Sequence, residues 1–360
     1  MRFYQIILFC FAACCCWNDS YSQLTLEARQ HRGFIIPHRV GVENLIQGHV
    51  NSTELSLEKQ VFGEKHWHHV WRFPRVGAAF YYADLANPQQ LGFSTALFPY
   101  IKFRAVGSDR VRFNIRVGGG IGYLSKTFDV EDNYKNVMIG SHLNIVANLI
   151  GDLEVDLTQR LSMSGGLGFM HYSNGAFKIP NLGINIPSST IGLNYRFGER
   201  PTMQENLDSI PDAPKYQGVV FGSFGLKENY PIGGVKYPVY AVTLELSKYF
   251  GYRSKVIGMV DGFYNTSLNQ RLKADSIAVQ SDFDIAQLGF MLGYGLVVDR
   301  LTMTVGQGVY LRTKYKGDSQ FYHRIGVSYL LTNRIAVRWM LKTHFFKADS
   351  FEFGIGYRFL

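Results

Sequence analysis

Hydrophobic and polar residues alternate along most of this chain with the period of a β-strand. Between Leu143 and Leu157 the odd positions are almost all apolar, whereas Asn148, Asp152 and Glu154 stand on the even positions and form an acidic, solvated face. The same division recurs in the segments that begin at Val111, Val242 and Ile335. Segments of this length suit a bilayer, which needs about nine to eleven tilted residues per strand. The pattern predicts an all-β, antiparallel transmembrane barrel.

Two further observations favour a membrane barrel over a soluble β-sandwich. Sandwich strands have a mode of about five to six residues, which is shorter than these segments. In the final segment every second residue is apolar: Phe351, Phe353, Ile355, Tyr357 and Phe359. This segment resembles the C-terminal assembly signal of bacterial outer-membrane barrels, except that Leu360 follows the last aromatic residue.

The chain also contains an internal duplication. Residues 193–197 (Leu-Asn-Tyr-Arg-Phe) are echoed at 355–359, and residues 158–160 (Thr-Gln-Arg) are echoed at 332–334. We expect about 14 to 16 strands in total, about seven or eight before the polar stretch in the middle of the chain and eight after it. One large barrel is preferred, since a single assembly signal then serves the whole chain, and two eight-stranded barrels are the alternative. The predicted segments are a barrel half at 23–198, a polar proline-containing linker at 199–216 and a degenerate second half at 217–360.

Residues 1–22 are typical of a cleaved signal peptide, with Arg2 before an apolar core and a small-x-small site before Gln23. A lipoprotein box at residues 11–14 is the alternative. All four cysteines lie in this segment, so the mature chain has no disulfide and no thiolate chemistry. The net charge of +9 suits anionic lipid head groups, and a secreted chain rarely meets nucleic acid. Aromatic residues, 15% of the chain, suit interfacial girdles.

A base and a hydroxyl stand two residues apart near the end of one predicted strand. His171 and Ser173 share the apolar parity of that strand, because side chains at i and i+2 point to the same face. A serine needs a hydrogen-bonded base to become a nucleophile, and a tetrahedral intermediate needs donors for its oxyanion. Asn174 and the amides near Gly175 are candidate donors. An outward-facing site at a strand end suits an ester at the bilayer boundary.

The segment from His171 to Gly175, followed by Asn181-Leu182-Gly183, resembles the active-site motif of the PagL-type lipid A 3-O-deacylases. The resemblance is best over about residues 70–198. It implies an outer-membrane esterase of lipid A or lipopolysaccharide, with a Ser-His-Glu triad and no metal or other cofactor. Carried over, Ser173 is the nucleophile and His171 the general base.

One position departs from that family. Fourteen residues after the histidine, where the family has its glutamate, this chain has Asn185. An asparagine can orient a histidine but cannot stabilise an imidazolium by charge, and losing the acid costs a factor of about 10⁴ where the tautomer is disturbed. Asn185 is therefore the expected orienting residue, and a slow or inactive site is the alternative.

Other chemistry-bearing residues carry weaker hypotheses. His66 and His68 would share a strand face, but with Trp67 and Trp71 beside them they suit an interfacial belt better than a metal site. Aligned with the first half, the second half has Phe345 in place of His171 and no Ser-Asn after it, so one site is expected. The alternative function is an inactive structural or pore-forming barrel.

Overall fold

In the computed structural model, two closed eight-stranded antiparallel barrels follow one another along the chain. The structure describes residues 24–198, 203, 212, 214–345 and 347–360. The predicted signal peptide and most of the predicted linker lie outside the described residues. Among the helices that are described, none has the length and apolar character needed to cross a membrane.

The strands of the first barrel are β1 (Leu24–Gly33), β2 (Val50–Gln60), β3 (Arg75–Asp84), β4 (Phe93–Gly107), β5 (Val111–Leu124), β6 (Leu143–Asp156), β7 (Leu161–Ser173) and β8 (Ile184–Arg196). Those of the second are β9 (Tyr216–Glu228), β10 (Lys236–Phe250), β11 (Ser254–Asn265), β12 (Ala286–Val298), β13 (Leu301–Arg312), β14 (Phe321–Leu330), β15 (Ile335–His344) and β16 (Lys347–Arg358). Two short helices, α1 (His66–Val70) and α2 (Ser267–Ala274), lie in loops.

The preference for one large barrel is wrong, and the alternative of two eight-stranded barrels is what the chain forms. β1 pairs with β8 over nine residue pairs, from Thr25–Arg196 to Gly33–Ser188, which closes the first barrel on itself. β9 pairs with β16 and closes the second. Alternation reveals which face of a strand meets lipid, but it carries no information about which strand pairs last. The expected number of strands is confirmed.

The duplication is visible in the backbone of two equivalent turns. The hydroxyl of Thr158 accepts hydrogen bonds from the amides of Arg160 (3.2 Å) and Leu161 (2.9 Å). Thr332 accepts the same bonds from Arg334 and Ile335 at the same lengths. Each turn serves the same step of its barrel, the entry to the seventh strand.

The inward faces are filled with ion pairs instead of being solvated. Asp152 and Glu154 are 1% and 0% exposed. Arg29 binds Asp152 at 2.5 Å, and Arg112 binds Glu154 at 2.8 Å. The acidic residues do lie on the inner face, as predicted. The prediction that this face is solvated is wrong, because an eight-stranded barrel is just wide enough for side chains to fill.

The two ends of the first barrel differ in their loops. One end carries the four connections 34–49, 85–92, 125–142 and 174–183, which we call the long-loop end. The other end has the tight turns 108–110 and 157–160 together with the loop 61–74, which contains α1. His66 and His68 therefore lie in a helix, and the expectation that they share a strand face is wrong. The Nδ1 atom of His68 accepts from the amides of Gly63 (3.3 Å) and Lys65 (3.4 Å), so this ring holds its own loop.

Candidate active site

Three side chains form a chain of hydrogen bonds at the long-loop end. Strand β7 carries His171, and its partner strand β8 places Asn185 directly opposite. The Nδ1 atom of His171 lies 2.7 Å from Oδ1 of Asn185. The Nδ2 atom of Asn185 lies 3.3 Å from Nδ1 of His38, whose Nε2 lies 2.9 Å from the carbonyl of Leu182.

The contact with Asn185 sets where the His171 ring carries its proton, because an amide oxygen only accepts. His38 contacts carbonyl oxygens from both ring nitrogens, Nε2 to Leu182 at 2.9 Å and Nδ1 to Ile36 at 3.0 Å; in the neutral tautomer that donates from Nε2, its Nδ1 accepts from the amide of Asn185. The oxygen of Asn185 is thereby turned to His171, which donates to it from Nδ1. The Nε2 atom of His171 is left unprotonated, as a general base requires.

The hydroxyl of Ser173 is held by groups other than His171. Asn181 donates to its Oγ from Nδ2 at 3.0 Å, and the amide of Gly175 donates to it at 3.2 Å. Within the described residues no hydrogen bond joins Ser173 to His171. Both residues occupy outward-facing positions at the C-terminal end of strand β7, as expected. Ser173 is only 6% exposed, because the loop that follows covers it.

The turn after Ser173 is tight. Gly175 and Ala176 both have positive φ, of 62° and 64°, and the amide of Phe177 donates to the carbonyl of Asn174 at 3.1 Å. The side chain of Asn174 donates to Ser141 (2.7 Å) and to the carbonyl of Lys178 (2.8 Å). The side-chain amide of Asn174 therefore stabilises the loop, whereas the backbone N–H of Gly175 donates to Oγ of Ser173.

A second glycine makes room for the base. Gly183 has a φ of 82°, and a Cβ built there would lie 3.0 Å from Cε1 and 3.8 Å from Nε2 of His171. The backbone at Gly183 therefore packs against the edge of the imidazole that carries the free nitrogen.

The second barrel holds this loop through Glu228 and Lys236. The amide of Glu228 donates to the carbonyl of Ala176 at 2.9 Å, and its carboxylate accepts from the amide of Ile179 at 3.2 Å. Lys236 donates to the carbonyl of Phe177 at 2.6 Å and to Glu228 at 2.5 Å. Glu228 is 3% exposed, so the loop of the first barrel rests on a buried carboxylate of the second.

An apolar groove of about 350 Å³ runs between the outward faces of the two barrels beside this loop. Ile121, Ile145 and Phe177 line it on the first barrel, and Phe224, Trp339 and Phe351 line it on the second. Asn174 is also in its wall. Its volume falls within the range of small-molecule sites, roughly 300–1,000 Å³.

One group of potential metal ligands lies in the second barrel. Oxygen and nitrogen atoms of Asp318, His344 and Asp349 lie within 4.8 Å of one another. Arg271 binds Asp318 through two hydrogen bonds of 2.7 Å, and Asp349 is ion-paired with Lys227 and Lys342. Although burial opposes it, Arg271 keeps the pKa of Asp318 below its usual value. The cations already present leave little negative charge for a metal ion.

The equivalent place in the second barrel lacks the site residues. His344 is buried and bonds the hydroxyl of Tyr310 at 2.9 Å, while Phe345 is 59% exposed. The His344 side chain thus points into the barrel and has a structural role, in agreement with the alignment of the two halves.

Sequence reasoning missed three participants: His38, Asn181 as a partner of Ser173, and Glu228. Asn181 was visible in the Asn-x-Gly motif, eight residues after Ser173. His38 is 147 residues from Asn185, and Glu228 is 49 residues from Ile179, so no local spacing marks either of them.

Barrels with charged, filled interiors and aromatic outer faces define a class, the small outer-membrane β-barrels. Among solved structures, Neisserial surface protein A covers 48% of this chain and 97% of its own, at 9% identity and a TM-score of 0.34. A mutant porin of Rh. blastica covers 93% of this chain and 99% of its own, at 10% identity and a TM-score of 0.20. No curated protein sequence matches this chain significantly.

Family models identify the chain more closely. The model described as "Lipid A 3-O-deacylase (PagL)" matches residues 51–197, and the model "Acyloxyacyl hydrolase, C-terminal domain" matches residues 214–360. Together they take in most of the chain, which belongs to the PagL-type lipid A deacylase and acyloxyacyl hydrolase family. The family points to acyl hydrolysis and to the outer membrane.

Proposed function

We propose that this protein hydrolyses an ester-linked acyl chain of lipid A, or of a related glycolipid, in the bacterial outer membrane. Ser173 is the nucleophile, His171 the general base and Asn185 the residue that orients it. The observation that carries the proposal is the 2.7 Å contact between His171 Nδ1 and Asn185 Oδ1, which leaves Nε2 of His171 free to accept a proton.

The reaction balances as an ordinary acyl transfer. Oγ of Ser173 attacks the ester carbonyl carbon while its proton passes to Nε2 of His171. The tetrahedral intermediate collapses, the bond to the sugar oxygen breaks, and His171 returns the proton to that oxygen. Water, deprotonated by His171, then attacks the acyl-serine and releases the fatty acid, and the proton returns to Oγ of Ser173.

Ser173 must turn from Asn181 to His171 for the first step. Catalytic hydrogen bonds are often loose without substrate and tighten in the reactive complex. The rotation leaves Nδ2 of Asn181 without its acceptor, and this group together with the amide of Gly175 then suits a developing oxyanion. Asn174 contributes by holding the turn that aims Gly175.

The location agrees with a membrane substrate. In outer-membrane barrels the longer loops face the exterior, where the lipopolysaccharide leaflet lies. Ser173 ends a strand on the outward face at the long-loop end. An acyl ester near the head group therefore lies at the depth of the hydroxyl.

Mass spectrometry of lipid A tests the proposal directly. Cells that express the wild type should contain lipid A lacking one acyl chain, and Ser173→Ala should abolish the change. Ser189→Ala removes an exposed hydroxyl from the outward face of β8 and is the matched control, expected to match the wild type. Unchanged lipid A with the wild type in every background tried contradicts the proposal.

A pore is the less favoured function, because charged side chains fill the first lumen. Arg116 and Glu54 pair across it, and each is completely buried. Planar-bilayer recordings should therefore show no steady conductance.

A further inference from the structure

We infer that the second barrel forms one wall of the acyl-chain site, so that selectivity for chain length depends on Trp339 and Phe351. This inference rests on the proposed function. It assigns the groove between the barrels to a single occupant, the acyl chain of the ester that Ser173 attacks.

The first wall lies on the two strands next to that of the nucleophile. Strand pairing sets Ser173 opposite Ile145, and Ile145 opposite Ile121, in a row across β7, β6 and β5. All three lie on the outward parity, and adjacent strands are about 4.8 Å apart. A carbonyl carbon at Oγ of Ser173 thus has its chain directed over Ile145 and Ile121, which line the groove.

The second wall is a cluster of aromatic side chains on β9, β15 and β16. Phe353 pairs with Phe224 and with Trp339 across the sheet. The rings of Trp339 and Phe353 stack with centroids 5.6 Å apart, and Trp339 meets Phe351 at 5.2 Å. Ring contacts of this kind hold the aromatic side chains of the second wall in place, because each ring restricts the conformations of its neighbours.

Phe351 touches the turn of the active site itself. A Cβ built on Gly175 would lie 2.2 Å from Cδ2 of Phe351. The ring of the second barrel therefore packs on the backbone whose N–H points at Ser173. The groove is thus mostly apolar, as a fatty acyl chain requires, and its polar lining residues are Asn174, which follows the reacting Ser173, and Asn144.

The experiment measures kcat/KM of the full-length protein, in detergent micelles, for p-nitrophenyl butyrate, octanoate, laurate and palmitate. Trp339→Ala removes an aromatic side chain from the second-barrel wall and widens the groove, whereas Ile121→Trp narrows the groove from the first-barrel wall. We expect Ile121→Trp to lower the laurate-to-butyrate ratio of kcat/KM by about tenfold or more, since one methylene in an apolar pocket is worth about 10- to 200-fold. Trp339→Ala should move the preference in the opposite direction, towards palmitate.

Phe290→Ala is the matched control, because Phe290 is an outward aromatic of the second barrel on β12, outside the groove. It should leave the chain-length profile unchanged. If the wild type hydrolyses the esters and both Trp339→Ala and Ile121→Trp keep its profile, the inference fails while the proposed function stands. If the wild type and Ser173→Ala are equally inert towards every ester and towards lipid A, the proposed function fails. Folding of each variant is checked by heat-modifiable migration, and a wall variant that does not fold is replaced by Phe224→Leu, with the same expected shift towards longer chains.

Discussion

The Nδ1 atom of His171 and the Oδ1 atom of Asn185 lie 2.7 Å apart on paired strands, so an amide occupies the place of a catalytic carboxylate. The amide fixes the tautomer of the imidazole but adds no negative charge. We therefore expect Asn185→Ala to lower kcat by about 10²-fold, and Asn185→Asp to raise it above the wild type, because a carboxylate also stabilises the imidazolium. Steady-state kinetics with p-nitrophenyl laurate measures both.

The outer face of β8 offers a control for Asn185→Ala. Ser189→Ala, further along the strand, should leave kcat unchanged. Equal kcat for the wild type and Asn185→Ala contradicts the orienting role, and a kcat of Asn185→Asp that does not exceed that of the wild type contradicts the role of charge.

His38 lies 3.3 Å from the nitrogen end of the Asn185 amide, the end that does not meet His171. Nδ1 of His38 also lies 3.0 Å from the carbonyl of Ile36, and it accepts from Asn185 in the tautomer that donates from Nε2 to Leu182. Without this acceptor the amide is free to turn and present Nδ2, which cannot accept from His171. We expect His38→Ala to lower kcat about tenfold with little change in KM. In the Asn185→Asp background, where the two oxygens are equivalent, the same substitution should have little effect, and the double-mutant cycle measures this coupling. Additive effects in the cycle would contradict the positioning role of His38.

Much of the fold was predictable from the alternation of single residues. The outward parity of Ser173 and the inward parity of Glu154 follow from the period of two, since one residue of slip would bury lipid-facing side chains. Closure as two barrels depends on the pairing of Leu26 with Tyr195, which are 169 positions apart and carry no mark of their partnership. The ion pairs that fill the lumen in place of water also join residues far apart in the sequence, as Arg116 and Glu54 illustrate.

In the candidate site, too, the residues that are close in sequence were predictable and the distant ones were not. Local spacing predicted His171, Ser173 and the asparagine opposite the base, because β7 and β8 form a hairpin. His38 and Glu228 reach the site only through loops of distant strands, so the local sequence gives no indication of them.

Glu228 links activity to the second barrel. Its carboxylate accepts from Ile179, Gly233 and Lys236, and removing an acceptor from buried donors costs about 1–3 kcal/mol. We expect Glu228→Ala to loosen the loop 174–183 and to lower kcat about tenfold, while both barrels remain folded. Hydrogen exchange of the Ile179 amide should accelerate in parallel.

Glu245 provides the matched control for Glu228. It is a buried carboxylate of the same barrel, 4% exposed, and it pairs with Lys255 inside the lumen. Glu245→Gln should leave both the exchange rate of Ile179 and kcat unchanged. A Glu228→Ala protein with wild-type exchange and kcat would show that the contact between the barrels does not support the loop.

The loop that contains α1 should open in acid because of His68. Burial, aided by the positive charge of Lys65, lowers the pKa of His68 from 6.5 to about 4. Because the folded pKa is the lower one, the stabilisation is complete above pH 6.5 and is lost as pH falls through about 4. Protonated Nδ1 no longer accepts from Gly63 and Lys65, so the exchange of these two amides, corrected for intrinsic rates, should accelerate over that range. His68→Asn keeps an acceptor near Nδ1 without titrating and should remove the pH dependence, and equal acceleration in this variant would contradict the assignment to His68.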